Sequence, residues 1–407
     1  MARKGGNTME LQQTPGANRL HIGIFGRRNS GKSSLMNAIT KQEIALVSQV
    51  AGTTTDPVYK AMEIPGIGPC MMIDTAGFDD EGDLGALRVE KTRTALAKTD
   101  VAILVFSQQD LSREAEWVAA LRQKKTPILA VISQQDIRTE AEMEALQQAV
   151  REQFSLEPLL VSAKEGTGIS QIKEEILRVM PEDFEMASIT GHLVSPQDVV
   201  LLVMPQDIQA PKGRLILPQV QTIRDLLDHQ CVVMSVTADQ LETALTALAK
   251  PPSLIITDSQ VFPFVFERKP KESRLTSFSI LLAAYKGDLS AFVKGAEAID
   301  VLTQHSRVLI AEACTHAPLS EDIGRVKIPA MLRKWFGSGL QVDLVSGADF
   351  PQDVSSYDLI IHCGACMFNR KHVLSRVEQA KQQGTPICNY GVVIAKLTGI
   401  LDHVFLG

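Results

Sequence analysis

Two short stretches concentrate metal-ligand side chains: Cys314-Thr315-His316 and His362-Cys363-Gly364-Ala365-Cys366. They hold three of the six cysteines and two of the eight histidines. Thiolates and imidazoles brought together suit zinc or an iron–sulfur cluster. Buried cysteine can also act as a small hydrophobe, and a lone Cys-x-x-Cys is compatible with that. The additional Cys-x-His favours a metal. Each stretch follows an apolar, strand-like run: Val308-Leu309-Ile310-Ala311 before Cys314, and Tyr357-Asp358-Leu359-Ile360-Ile361 before His362. Sites in open α/β sheets form beyond the carboxyl ends of strands, so two such loops can converge. Gly364 lets the second loop turn tightly. Cys70, Cys231 and Cys388 fall inside strand-like runs and read as packing.

A second constellation lies near the N-terminus. The apolar run Leu20 to Phe25 leads into Gly26-Arg27-Arg28-Asn29-Ser30-Gly31-Lys32-Ser33, and a helical pattern follows from Ser34 to Thr40. This is G-x-x-x-x-G-K-S in a strand–loop–helix setting. Its backbone N–H groups would wrap phosphates at a helix N-terminus. Lys32 would reach the β- and γ-phosphates, and the Ser33 hydroxyl would ligate Mg²⁺. Asp74 and Gly77 form Asp-x-x-Gly after a strand, suited to hold the magnesium and sense the γ-phosphate. Gly52-Thr53-Thr54-Thr55-Asp56 lies where a switch segment belongs. Ser133-Gln134-Gln135-Asp136 and Ser162-Ala163-Lys164 each follow a strand. A carboxylate at 136 can accept both guanine N–H groups.

The elements that must position these groups alternate. Helical patterns at 84–97, 112–124, 141–153 and 169–180 interleave with strands, which predicts a doubly wound parallel sheet closed by Pro181. The fold class is α/β in three domains. Residues 1–181 are a P-loop domain with a polar N-terminal tail, 182–268 a small α/β unit, and 269–407 a second parallel sheet carrying the cysteine loops. In the middle unit Val199 to Met204 is an apolar strand whose edge could pair with a second copy across a two-fold axis. Lys269-Pro270-Lys271-Glu272 reads as a charged hinge. No internal repeat is evident.

Composition excludes several classes. A net charge of −6 leaves no electrostatic footprint for nucleic acid. No run of 18 apolar residues is present and the first 17 residues have no signal-peptide core, which predicts a soluble protein. Six cysteines without a secretory signal point to a reducing, cytoplasmic setting.

The P-loop, Asp74-Thr75-Ala76-Gly77, Asp136 and Ser162-Ala163-Lys164, in this order, resemble the translation-factor-related GTPases, above all the Era and tRNA-modification branch. The resemblance implies GTP and Mg²⁺ as ligands, with Gly26, Asn29, Ser30, Gly31, Lys32, Ser33, Ser34, Asp136, Ser162, Ala163 and Lys164 lining the nucleotide site. It implies Lys32, Thr54, Asp74 and Gly77 as the catalytic set. The branch has Asn-Lys-x-Asp where this chain has Ser133-Gln134-Gln135-Asp136. Phe78 stands where many GTPases place a water-orienting glutamine, so intrinsic hydrolysis is expected to be slow. Asn29 matches an asparagine that binds K⁺ in the tRNA-modification GTPases; asparagine there also suits a turn.

A GTPase domain, a small middle domain and a Cys-x-His…His-Cys-x-x-Cys domain together resemble the FeFe-hydrogenase maturation GTPases (HydF). That resemblance implies a 4Fe–4S cluster on Cys314, Cys363 and Cys366, with His316 and His362 filling the remaining places of the motif. It implies a homodimer and a scaffold that carries the diiron subcluster, built with two radical-enzyme maturases, to the FeFe-hydrogenase apo-protein. An RNA- or ribosome-associated GTPase with a structural zinc is the competing reading.

Overall fold

The computed structural model describes residues 18–41, 48–50, 57–64, 66–77, 83–180, 188–205, 215–312, 323–347, 349–365 and 368–406. The chain forms two compact units, Met1–Glu185 and Met186–Gly407.

The first unit is built on a seven-stranded sheet. Its central strands, β1 (Leu20–Gly26) and β5 (Val101–Phe106), are buried at every residue. Strands of parallel sheets lie between two helical layers and so carry unbroken apolar runs. β4 (Gly68–Asp74), β6 (Ile128–Ile132) and β7 (Leu159–Leu160) run parallel to them. β2 (Ser48–Val50) and β3 (Val58–Ile64) add an antiparallel edge, giving the order β2-β3-β4-β1-β5-β6-β7. One face packs α1 (Lys32–Lys41) and α5 (Ile169–Val179) through Leu35, Ile39, Ile169 and Ile172. The other packs α3 (Ser112–Gln123) and α4 (Glu140–Phe154) through Trp117, Leu121, Leu146 and Val150. α2 (Asp83–Leu96) precedes β5. α4 begins at a capping box: the Thr139 side chain accepts from Glu142 N–H, and Glu142 accepts from Thr139 N–H. All four helices stand where the periodicity predicts, to within two residues or so at each end.

The second unit contains two four-stranded sheets with one topology. In the first, β8 (Val199–Val203), α6 (Leu217–Asp228), β9 (Val232–Val236), α7 (Leu241–Ala247), β10 (Leu254–Thr257), α8 (Phe262–Arg268) and β11 (Arg274–Ser277) follow in order. The strand order is β11-β10-β8-β9, all parallel. Helices α9 (Phe278–Lys286) and α10 (Leu289–Ala296) lead to the second sheet. There β12 (Arg307–Glu312), α11 (Ile328–Phe336), β13 (Gln341–Ser346), β14 (Leu359–His362), α12 (Arg370–Gln382), β15 (Ile387–Asn389) and α13 (Tyr390–Leu397) give the order β13-β12-β14-β15. Each sheet places its second strand outside its first and its third and fourth on the other side. The repeat is one of topology, without a matching sequence repeat.

Two expectations change. β8 is interior, bonded to β9 on one side and β10 on the other, so its edge cannot meet a second copy. An all-apolar strand is what an interior position demands; the free edges are β9 and β11. The charged stretch 269–272 does not separate two cores. Leu201, Val203 and Ile255 of one sheet share a continuous core with Val308, Ile310, Leu359 and Ile361 of the other. Close approach helps: a Cβ on Gly295 would lie 1.9 Å from the Ile387 carbonyl oxygen, so α10 rests on β15 only with glycine there. β11, beyond residue 268, completes the first of these sheets. Among the described residues no helix is long and apolar enough to cross a membrane.

Candidate nucleotide site and cysteine crevice

The P-loop connects β1 to α1. Asn29 takes a left-handed φ of 58° with its side chain exposed, and Gly31 a φ of 89°. Ser30 and Lys32 are buried; Ser33 and Ser34 are exposed at the start of α1. The Lys32 ammonium donates to the carbonyls of Gly26 at 3.0 Å and Arg27 at 2.7 Å, so it lies across the loop. Arg27 points beneath the loop. Its guanidinium donates to both carboxylate oxygens of fully buried Glu114 on α3, each at 2.9 Å, and to Gln108 Oε1 at 3.1 Å.

Asp74 ends β4 beside this loop, buried, with Oδ1 lacking a protein partner. Burial raises its pKa above the ordinary carboxylate value, opposed by a hydrogen bond from Ser33 and the charge of Lys32. A buried, desolvated carboxylate oxygen next to a serine hydroxyl is a donor set that fits a hard divalent cation. Gly77 lies against the P-loop, where an added Cβ would come within 2.6 Å of Arg28 N. Thr54 and Phe78 lie outside the described residues.

The loops after β6 and β7 are bound to the P-loop and to each other. Ser133 Oγ donates to Ser30 O at 2.5 Å, and Gln134 Nε2 to Asn29 O at 3.3 Å. Gln135 N–H donates to Val161 O at 3.2 Å. Asp136 accepts from Ser162 Oγ at 2.8 Å, and that hydroxyl accepts from Glu165 N–H. Ala163 is half-buried and Lys164 exposed beside them. The structure thus brings Gly26, Asn29, Ser30, Lys32, Ser33, Asp74, Ser133, Asp136 and Ser162 to the carboxyl ends of β1, β4, β6 and β7.

In the second unit Cys363 follows directly on the carboxyl end of β14. Cys363 is half-buried, and its Sγ accepts from Ala365 N–H at 3.4 Å. Ala365 turns the loop at a φ of 49°. Cys314, His316 and Cys366 lie outside the described residues. Both ring nitrogens of His362 are engaged within the protein. It is fully buried, its Nδ1–H donates to Cys363 O at 2.7 Å, and its Nε2 accepts from Arg376 Nη1 at 3.1 Å. Burial and then the Arg376 charge push the imidazole down to about 3, so it is neutral. It fixes the backbone from which Cys363 projects.

Several site residues carry no local sequence signal. Lys286, at the end of apolar α9, is buried and donates to Phe368 O at 2.9 Å and Ala365 O at 3.2 Å, spanning the Cys363 loop. Arg376 donates also to Gly347 O. Glu312, the last residue of β12, accepts from Arg325 at 2.9 Å. Cys363 stands at a strand end with an N–H on its sulfur, and its donor chemistry fits an iron–sulfur cluster. Cys70 and Cys388 are buried packing residues whose thiols burial pushes up, Cys70 to about 12.

Three family models match successive parts of the chain. The model described as 50S ribosome-binding GTPase matches residues 21–134. The hydrogen maturase F dimerization domain matches 189–287, and the hydrogen maturase F tetramerization domain matches 290–406. The last two together span more than half of the chain. The chain belongs to the hydrogen maturase F family. Its first unit is a GTPase domain, similar to GTPase Der of Wolinella succinogenes at 37% identity over 42% of this chain and 37% of that protein. The tRNA modification GTPase MnmE of Paraburkholderia xenovorans is 32% identical over 39% of this chain and 34% of its own length. The chain thus spans little over a third of these relatives. The solved structure of Era from Aquifex aeolicus covers 56% of this chain and 98% of its own, at 17% identity and a TM-score of 0.34. In this member of the hydrogen maturase F family, the dimerization-domain match ends at residue 287, after β11 and α9, rather than at 268.

Proposed function

We propose that this hydrogen maturase F protein hydrolyses GTP and carries the diiron subcluster of FeFe-hydrogenase to its apo-protein. The reading rests on one observation above others: a GTPase domain and the Cys-x-His…His-Cys-x-x-Cys pattern occur on one chain of this family. Gly26 to Ser34 bind the phosphates through backbone N–H groups, and Lys32 leaves its loop carbonyls to neutralise the β- and γ-phosphates. Ser33, Asp74 and Thr54 hold Mg²⁺, which supplies charge neutralisation on the phosphate oxygens. Gly77 N–H meets the γ-phosphate. Asp136 reads the guanine, with Ser162, Ala163 and Lys164 closing over it. Asn29, at the exposed tip of the loop, binds K⁺, whose charge stands in for an arginine finger.

Cys314, Cys363 and Cys366 would hold a 4Fe–4S cluster, with His316 and His362 in the motif's remaining places. The cluster supplies a thiolate-bound anchor with one exchangeable iron for the diiron cargo, which two radical-enzyme maturases help build. The chain forms a homodimer through the sheet of β8 to β11, by its free edge β9, where Val232 is 57% exposed, and by the flanking helix face of Val220 and Leu227. The reading places the protein in the cytoplasm, without nucleic-acid or membrane partners.

Anaerobic purification tests the reading. The expected product is brown and iron-loaded, with a resonance signal on reduction that any of C314S, C363S or C366S removes. The same preparation hydrolyses GTP and not ATP, faster in potassium than in sodium; Asp74→Asn loses Mg²⁺-dependent turnover. A colourless, zinc-loaded protein that co-purifies with ribosomes would overturn it.

A further inference from the structure

The guanine loop departs from Asn-Lys-x-Asp, and the structure shows where its replacements are engaged. Ser133 has one hydroxyl hydrogen, and that hydrogen is given to Ser30 O at 2.5 Å. Gln134, at a φ of 64°, commits an amide N–H to Asn29 O. Both residues therefore bind the base loop to the P-loop. Ser133 is buried beside Gly31, where an added Cβ would meet its Oγ at 3.6 Å.

A guanine nucleotide presents two edges. With N1–H and the 2-amino group paired to Asp136, N7 would lie across the ring from that carboxylate, on the side where Ser133 stands. The opposite edge, N1–H and the 2-amino group, lies toward Asp136, whose carboxylate is held by Ser162. A carboxylate accepts both of those N–H groups. N7 needs a donor, and the Ser133 hydroxyl has none left to give. An asparagine at 133 has two amide hydrogens and could hold Ser30 O while offering the second to N7.

We propose that this chain recognises guanine by its Watson–Crick edge alone, through Asp136, and that Ser133 serves only to position the loop. This rests on the guanine-nucleotide reading above. The consequence is tolerance of 7-deazaguanine nucleotides, in which a C–H replaces N7.

Equilibrium binding of GDP, 7-deaza-GDP, IDP and ADP to the full chain tests it. GDP and 7-deaza-GDP should bind within about two-fold of each other, since no bond to N7 is lost. IDP, lacking the 2-amino group, should bind roughly ten-fold or more weakly, the effect of one hydrogen bond to a charged group. Ser133→Ala should weaken GDP and 7-deaza-GDP by the same factor. Ser133→Asn should tighten GDP and leave 7-deaza-GDP behind. A wild-type preference for GDP over 7-deaza-GDP of roughly ten-fold would overturn the proposal; loss of that preference in Gln134→Met would then locate the donor in Gln134. Equal binding of GDP and ADP, or binding of neither, would instead overturn the guanine reading on which it stands.

Discussion

Glu114→Ala should destabilise the GTPase unit more than its distance from the nucleotide suggests. The Glu114 side chain is 0% exposed, and Arg27 7%. Their two parallel bonds of 2.9 Å are a bidentate, desolvated pair. Removing one partner leaves a buried guanidinium uncompensated, at a cost of about 3–5 kcal/mol. Gln108 Oε1 at 3.1 Å and the Asp110 carboxylate at 3.6 Å remain, which argues for the lower end, about 3 kcal/mol. For a unit of this size each kcal/mol moves the melting temperature by about 2–4 °C, so a fall of about 6–12 °C is expected. Trp117 is buried against Phe25 whereas Trp335 is 64% exposed, so blue-shifted tryptophan emission follows this unit within the full chain. Nucleotide affinity should fall as well, since the Arg27 carbonyl helps to seat Lys32. Replacing both members, Arg27→Met with Glu114→Leu, should restore most of the stability, because no unpaired charge remains. A melting shift under about 2 °C for the single variant, or a double variant no better than the single, would refute the reasoning.

Three further outcomes are expected. Lys286→Met removes the two bonds that span the Cys363 loop; iron retained after anaerobic reconstitution should fall and, in apo-protein, Cys363 should react faster with a thiol reagent, with Lys286→Arg intermediate. Unchanged iron and unchanged reactivity would remove Lys286 from the site. Val232→Glu places a charge on the free β9 edge and should shift sedimentation from dimer toward monomer, whereas a dimer that persists would move the interface elsewhere. At Asp288 burial raises the pKa, but hydrogen bonds from Lys381, Ser290 and Ala291 N–H outweigh it and bring the carboxyl down to about 2. A depressed carboxylate lends full stability above its unfolded value and loses it as pH falls, here between about pH 4 and pH 2. Asp288→Asn should flatten acid denaturation in that window, and an unchanged acid limb would show that the pair contributes nothing.

What the sequence determined by itself is local. The P-loop is contiguous, and its glycines, Lys32 and Ser33 dictate their own conformation between a strand and a helix. Apolar runs bounded by turn residues placed the strands, and 3.6-residue periodicity placed the helices, because burial acts on each segment separately. Strand order is different: nothing in Val199 to Met204 says which neighbours it bonds, and its uniform apolarity fits an interior strand as well as the sticky edge expected of it. Only tertiary packing decided the partners of isolated polar side chains. Lys286 ends a hydrophobic helix with no local signal of a role, yet its ammonium is bonded to the Ala365 and Phe368 carbonyls. His362 reads as a ligand by spacing, yet Arg376, on the following helix, takes one nitrogen and the Cys363 carbonyl the other. Ser133 reads as a loss beside Asp136, yet its hydroxyl reaches the P-loop from 103 residues away. In each case the deciding bond joins groups far apart in the chain or on different elements, and the energy that makes it comes from burial, which exists only once the sheets have packed.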